Sequence, residues 1–68
     1  MFPEIGNQAI VKDVPIIDPE WRNAQVMIVG MDLRHDSGGC IDPKRTRIKI
    51  TNSAKHTRAF PLEHLQPV

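Results

Sequence analysis

The chain has no tyrosine, one tryptophan, two phenylalanines and one cysteine among its 68 residues, and its formal net charge is only +1. Each shortage closes off a class of explanation. Without a second cysteine no internal disulfide can staple the fold, so stability must come from packing or from self-association. A lone thiol fits a reducing compartment, and Met1-Phe2-Pro3-Glu4 has neither the basic stretch nor the apolar run of a signal peptide. A cytoplasmic location is therefore expected. With three aromatic rings there is no stacking platform of the kind that single-strand nucleic-acid binders use. Any nucleic-acid contact would go mainly to phosphates and would weaken with salt. The longest apolar run, Val26 to Met31, falls far short of the roughly 20 residues that span a bilayer, which excludes membrane insertion.

What remains is one small domain. A chain of this length buries only about 60% of the surface it exposes when unfolded, so every apolar residue matters. Charge is distributed unevenly: two basic and five acidic side chains lie up to Leu33, and seven basic and three acidic from Arg34 onward. No acid occurs between Lys44 and Arg58. Arg45, Arg47, Lys49, Lys55 and Arg58 are accordingly a candidate nucleic-acid-binding face. The plainer alternative is the solvated side of a half-buried strand, which needs alternating polar residues in any case.

The pattern along the chain is that of strands. Ala9-Ile10-Val11 is short and β-prone, with Ala9 and Val11 on one face and Ile10 on the other. Asp13 to Trp21 carries Pro15 and Pro19, yet Val14, Ile16 and Ile17 anchor it, so an ordered loop folding back over the sheet is expected. Ala24 to Met31 is rich in Val and Ile and bounded by Asn23 and by Gly30 with Asp32, as a central strand would be. Val26 and Ile28 then point inward. Met27, Val29 and Met31 point outward and need cover, from the Pro15–Trp21 loop or from another molecule. Leu33 to Pro43 is a polar excursion around Gly38-Gly39, read as a mobile hairpin loop. Thr46 to Thr51 alternates strictly, with Ile48 and Ile50 inward, and Lys55 to Phe60 returns with Phe60 and Arg58 on one face. Pro61 suits the first position of a single 3₁₀ turn that brings Leu62 and Leu65 to one side as a plug. Gln66-Pro67-Val68 is a closing edge strand, where a missing amide hydrogen does least harm.

Little in the sequence carries chemistry. His35, Asp36, Cys40, His56 and His64 lack the close spacing of metal-ligand pairs, so no metal is expected. His35 and Asp36 with Ser37 or Ser53 do not make a hydrolase, because such triads are defined by geometry that adjacency does not supply. Gly38-Gly39 lacks the Lys and Ser or Thr of a phosphate loop. No catalytic residue and no cofactor are assigned. Trp21 is either a groove-lining contact or a plug of the core.

The order of five strands, with Gly6 before the first, Ile28-Val29-Gly30 in the second, and the ending Phe60-Pro61-Leu62 to Leu65-Gln66-Pro67-Val68, resembles the Src-homology-3-like small β-barrels. The expected fold is thus an all-β, five-stranded antiparallel barrel of that kind, with a single 3₁₀ turn before the last strand. Within the class, the chain is similar to the plasmid-borne type II dihydrofolate reductases. That resemblance implies a tetramer binding folate and a nicotinamide cofactor at a central pore through a valine-glutamine-isoleucine-tyrosine segment. Thr57-Arg58-Ala59-Phe60 stands at that place and keeps neither the glutamine nor the tyrosine, so the activity is not carried over. Fold analogy alone leaves function open.

Three readings follow. The leading one is a non-catalytic interaction module that binds a protein through Trp21, Arg22, Met27, Val29 and Met31, together with the Asp32–Pro43 loop. The second is phosphate-backbone binding through the basic face. The third is a pore-type oligomeric enzyme with Arg58 and Phe60 facing an axis. A homo-oligomer, or a phage or plasmid accessory protein, would suit a free-standing barrel of this length.

Overall fold

The computed structural model describes residues 2–68. Five strands, β1 (Gln8–Val11), β2 (Gln25–Asp32), β3 (Arg47–Thr51), β4 (Thr57–Pro61) and β5 (Leu65–Pro67), form a single antiparallel sheet. A 3₁₀ turn at Leu62–His64 links β4 to β5. The order across the sheet is β4-β3-β2-β1-β5, so β4 and β5 are its two edges and do not pair with each other. Among the described residues there is no α-helix, and no helix is long and apolar enough to cross a membrane.

The strands form where apolar residues recur every second position, because that period puts one set of side chains on one face. Cross-strand register then stacks those sets. Ala9 faces Val26, Val11 faces Leu65, Ile28 faces Ile50, and Ile48 faces Phe60. All eight are buried, and with Ile17 and Trp21 they make the core. Half-buried Phe2, Val14, Ala24, Met31 and Leu62 pack around it. Pro61 and Pro67 both lie in edge strands, where a proline removes no interior ladder bond.

One irregularity in β2 changes the expected faces. Ile28 pairs with Ile50 but Gly30, not Val29, pairs with Lys49, so Val29 is an extra residue in a β-bulge. Past the bulge the alternation is reset, and Met31 lies opposite buried Ile48. Met31 therefore joins the inner face and packs against the core, where unbroken alternation from Met27 would put it outside.

The segment between β1 and β2 closes the inner face. Ile17 and Trp21 enter the core, while Ile16 stays 81% exposed. The outer face of β2 is left without this cover. Backbone bonds fold the loop into successive turns, with Ile17 N–H donating to Val14 O and Trp21 N–H to Asp18 O. The Arg22 guanidinium ties them together, its Nε–H donating to Ile17 O at 2.7 Å and its Nη2–H to Pro15 O at 3.0 Å.

The polar excursion between β2 and β3 is also organised. Asp36 accepts from the backbone N–H of Gly38 and of Cys40, and His35 bridges to Ile41. Thr46 is fully buried and turns one hydroxyl to two uses, accepting from Arg34 N–H at 3.0 Å and donating to Arg34 O at 3.2 Å. That hydroxyl fastens the base of the hairpin to the start of β3.

Candidate functional site: the outer sheet face

The outward side chains of the sheet fall into three rows. In the first, Gln8, Met27, Thr51 and Thr57 stand opposite one another across β1 to β4. In the second, Lys49 is flanked by Gly30 on β2 and Ala59 on β4. In the third, Asp32, Arg47 and Pro61 stand side by side. Bulged Val29 projects between the first two rows.

Met27 is 43% exposed although it is paired with both β1 and β3, and Val29, the bulged residue, is 40% exposed. Two large apolar side chains thus sit together on the outer face of β2 with water over them. Beside Met27 lies an open groove of about 590 Å³, lined in part by Gln8, Glu20, Gln25, Thr51 and Asn52. Its rim is polar; the Gln25 and Gln8 amides hydrogen-bond to each other there. A second groove, of about 420 Å³, runs past Gly30, Asp32, Arg47, Lys49 and Ala59. Its floor is low because Gly30 has no side chain: a Cβ there would stand 3.4 Å from the Lys49 Cβ.

The polar groups of this face are partly engaged with one another. Asp32 pairs with Arg34 at 3.1 Å, and Arg47 Nη1–H donates to the Lys44 carbonyl at 2.6 Å. Lys49 has no ion pair or hydrogen bond to its side chain among the described residues. Its ammonium is open to an outside partner, as are the Arg47 charge and Glu20 at the rim of the first groove.

The structure separates the residues that the sequence groups together. Trp21 is 3% exposed and meets Phe60 edge-on, with ring centroids 5.5 Å apart, so it belongs to the core and not to a contact surface. Arg22 braces the loop, as its two bonds to carbonyls require. Met31 is turned inward by the bulge. Of the five protein-contact candidates, Met27 and Val29 stay on the exposed face.

The basic set divides in a similar way. Arg47 and Lys49 share the outer face, whereas Arg58 lies opposite Ile50 on the inner side. There its guanidinium pairs with Asp18 at 2.7 Å and stacks over Phe60 at 5.3 Å. Lys55 occupies the turn after β3 with φ of 63°, and Arg45 lies in the turn before it. Register therefore spreads the five cations over two faces and two turns. The pore reading meets the same obstacle, because Phe60 is buried and Arg58 is engaged with the loop. Among the described residues no group of three or more His, Cys, Asp or Glu side chains is placed to hold a metal ion.

No family model, no curated protein and no solved structure matches the chain. The bulge is the feature that sequence reading missed. Its signal was Gly30, since a glycine inside a strand often marks one.

Proposed function

We propose that the protein is a non-catalytic interaction module that binds another protein on the outer face of β2 and β3. The observation that carries this is the pair Met27 and Val29, exposed on one face of β2, Met27 between Gln8 and Thr51 and Val29 at the bulge beside it. A contiguous apolar spot with a polar rim is what a binding surface offers, because its burial is favourable and its edges set orientation. The partner fitting it presents apolar side chains to Met27 and Val29 and a carboxylate to Lys49, whose ammonium has no partner within the described part of the chain.

The scaffold is, in this reading, a partly open Src-homology-3-like barrel. Its strand order, the bulge in the long second strand and the one-turn 3₁₀ segment before the last strand support that assignment. The phosphate-binding alternative keeps Arg47 and Lys49 on one face but has Arg58 directed elsewhere, which favours the protein partner.

A photoreactive side chain at position 27, exposed to cell extract, is expected to give one discrete protein adduct. The same group at position 16 is the control, because Ile16 is exposed in the loop that closes the opposite face. Lys49→Glu should weaken the adduct from position 27. Identical adducts from both positions, or an adduct only with nucleic acid, would overturn the assignment.

A further inference from the structure

The two edges of the sheet differ in what they offer to another strand. In an antiparallel pair, bonded and non-bonded residue pairs alternate along the ladder. Leu62 N–H donates to Thr46 O at one end of the β3–β4 ladder and Asn52 N–H to His56 O at the other. With the intervening register, Ile48–Phe60 and Ile50–Arg58 are the bonded pairs. Thr57, Ala59 and Pro61 consequently turn their backbone groups away from β3, toward the open edge. That edge presents two N–H donors, at Thr57 and Ala59, and three carbonyl acceptors.

The β5 edge can only accept. Lys12 N–H donates to His64 O, so Ile10–Gln66 is the bonded pair with β1, and Leu65 and Pro67 face outward. The Leu65 N–H is used by Leu62 O in the 3₁₀ turn, and Pro67 has no N–H. No outward donor is left in β5. Prolines and spent donors are how sheets blunt an edge, and here they remove every outward donor from β5 but only the one at Pro61 from β4.

We propose that β4 pairs with β4 of a second copy of this chain, antiparallel and centred on Ala59. The β4 edge is self-complementary in that register. Ala59 exchanges two hydrogen bonds with its counterpart, and each Thr57 N–H meets the Pro61 carbonyl of the other copy. The hydrogen that proline lacks then falls where only one acceptor per copy goes without. Side chains select the same register. Arg58 lies opposite Phe60 of the second copy, each guanidinium keeping its own Asp18 and each ring its own core, so no like charges are apposed. A register centred one residue earlier would set the two Arg58 guanidinium groups directly opposite each other, which disfavours it. On the outer face, Ala59 meets Ala59 with room to spare. This pairing is independent of the outer-face site, since it uses the edge and leaves Met27 and Val29 uncovered.

Sedimentation of the full chain from about 10 µM to about 1 mM spans the range in which an edge of this size is expected to associate. The dimer fraction should rise across it, and the Thr57 and Ala59 amides should exchange at least about tenfold more slowly at the high end. Ala59→Pro removes an outward donor without touching the β3 ladder, so the variant should keep its β circular dichroism and remain monomeric. In a Cys40→Ser background, Ala59→Cys should cross-link on oxidation, because Cα atoms in a bonded pair lie about 5.5 Å apart, within disulfide reach. Val29→Cys in the same background should not. A monomer throughout the range, a dimer that survives Ala59→Pro, or equal cross-linking at 29 and 59 would overturn the proposal. If the proline variant fails to fold, the two cysteine variants decide.

Discussion

The inner and outer faces of this sheet are built from the same strands and treated in opposite ways. On the inner face the chain commits its only tryptophan, its best-placed isoleucines and a whole connecting loop to exclude water. On the outer face Met27 and Val29 are left exposed on the long strand β2, Met27 between β1 and β3 and Val29 at the bulge. A small chain has few ways to cover apolar surface, and this one covers a single face. The open face is thus the place where sequence is free to serve binding, while the closed face is fixed by folding.

The largest contrast should come from truncating one residue on each face. Trp21→Ala removes a buried ring in contact with Phe60 and is expected to cost about 3–5 kcal/mol. Total stability for a chain of this size is only about 3–10 kcal/mol, so urea denaturation followed by circular dichroism should find this variant largely or wholly unfolded. Thr46→Val keeps the shape but strips both hydrogen bonds to Arg34, for a loss of about 1–2 kcal/mol in the same melt. A loss below that range would mean that water replaces the hydroxyl at no cost.

Arg58→Ala tests how firmly the loop is held down. The Asp18–Arg58 pair is about half exposed and so contributes little after solvent screening; with the stacking on Phe60, the expected loss is about 1 kcal/mol. Trp21 gives the local readout: its emission should shift to the red while the strand signal persists. Unchanged emission would indicate that Ile17 and Arg22 hold the loop without Arg58. At the small end, Met27→Lys on the outer face should change the melting midpoint by the equivalent of no more than about 0.5 kcal/mol. A loss comparable to that of Trp21→Ala would erase the distinction between the faces.

Much of the inner face was legible in the sequence, because its residues obey a period of two that needs no tertiary information. Ala9 and Val11, Val26 and Ile28, Ile48 and Ile50 all point where alternation puts them. Pro61 and the two leucines likewise announce a turn and its apolar contacts, with Leu65 buried and Leu62 half-buried. What escaped were properties of register and of three-dimensional closure. Met31 obeys alternation only until the bulge at Val29 shifts it, and a strand with apolar residues on both faces gives no polarity cue to where the shift occurs. Ile16 and Ile17 are equally apolar, and only the path of the loop decides which of them enters the core and which sheet face the loop covers. The basic residues were visible as a run, but pleating and pairing set Arg58 against Asp18, a partner 40 residues away.

Accessibility of individual side chains to a soluble paramagnetic agent, read by NMR on dilute protein, tests the contrast between the faces most directly. The Met27 and Val29 methyl signals should broaden strongly, while those of Ile28, Ile48 and Ile50 and the Trp21 indole should be spared. Protection of Met27 equal to that of Ile28, or broadening of Trp21 equal to that of Met27, would contradict a sheet with one closed face and one open one.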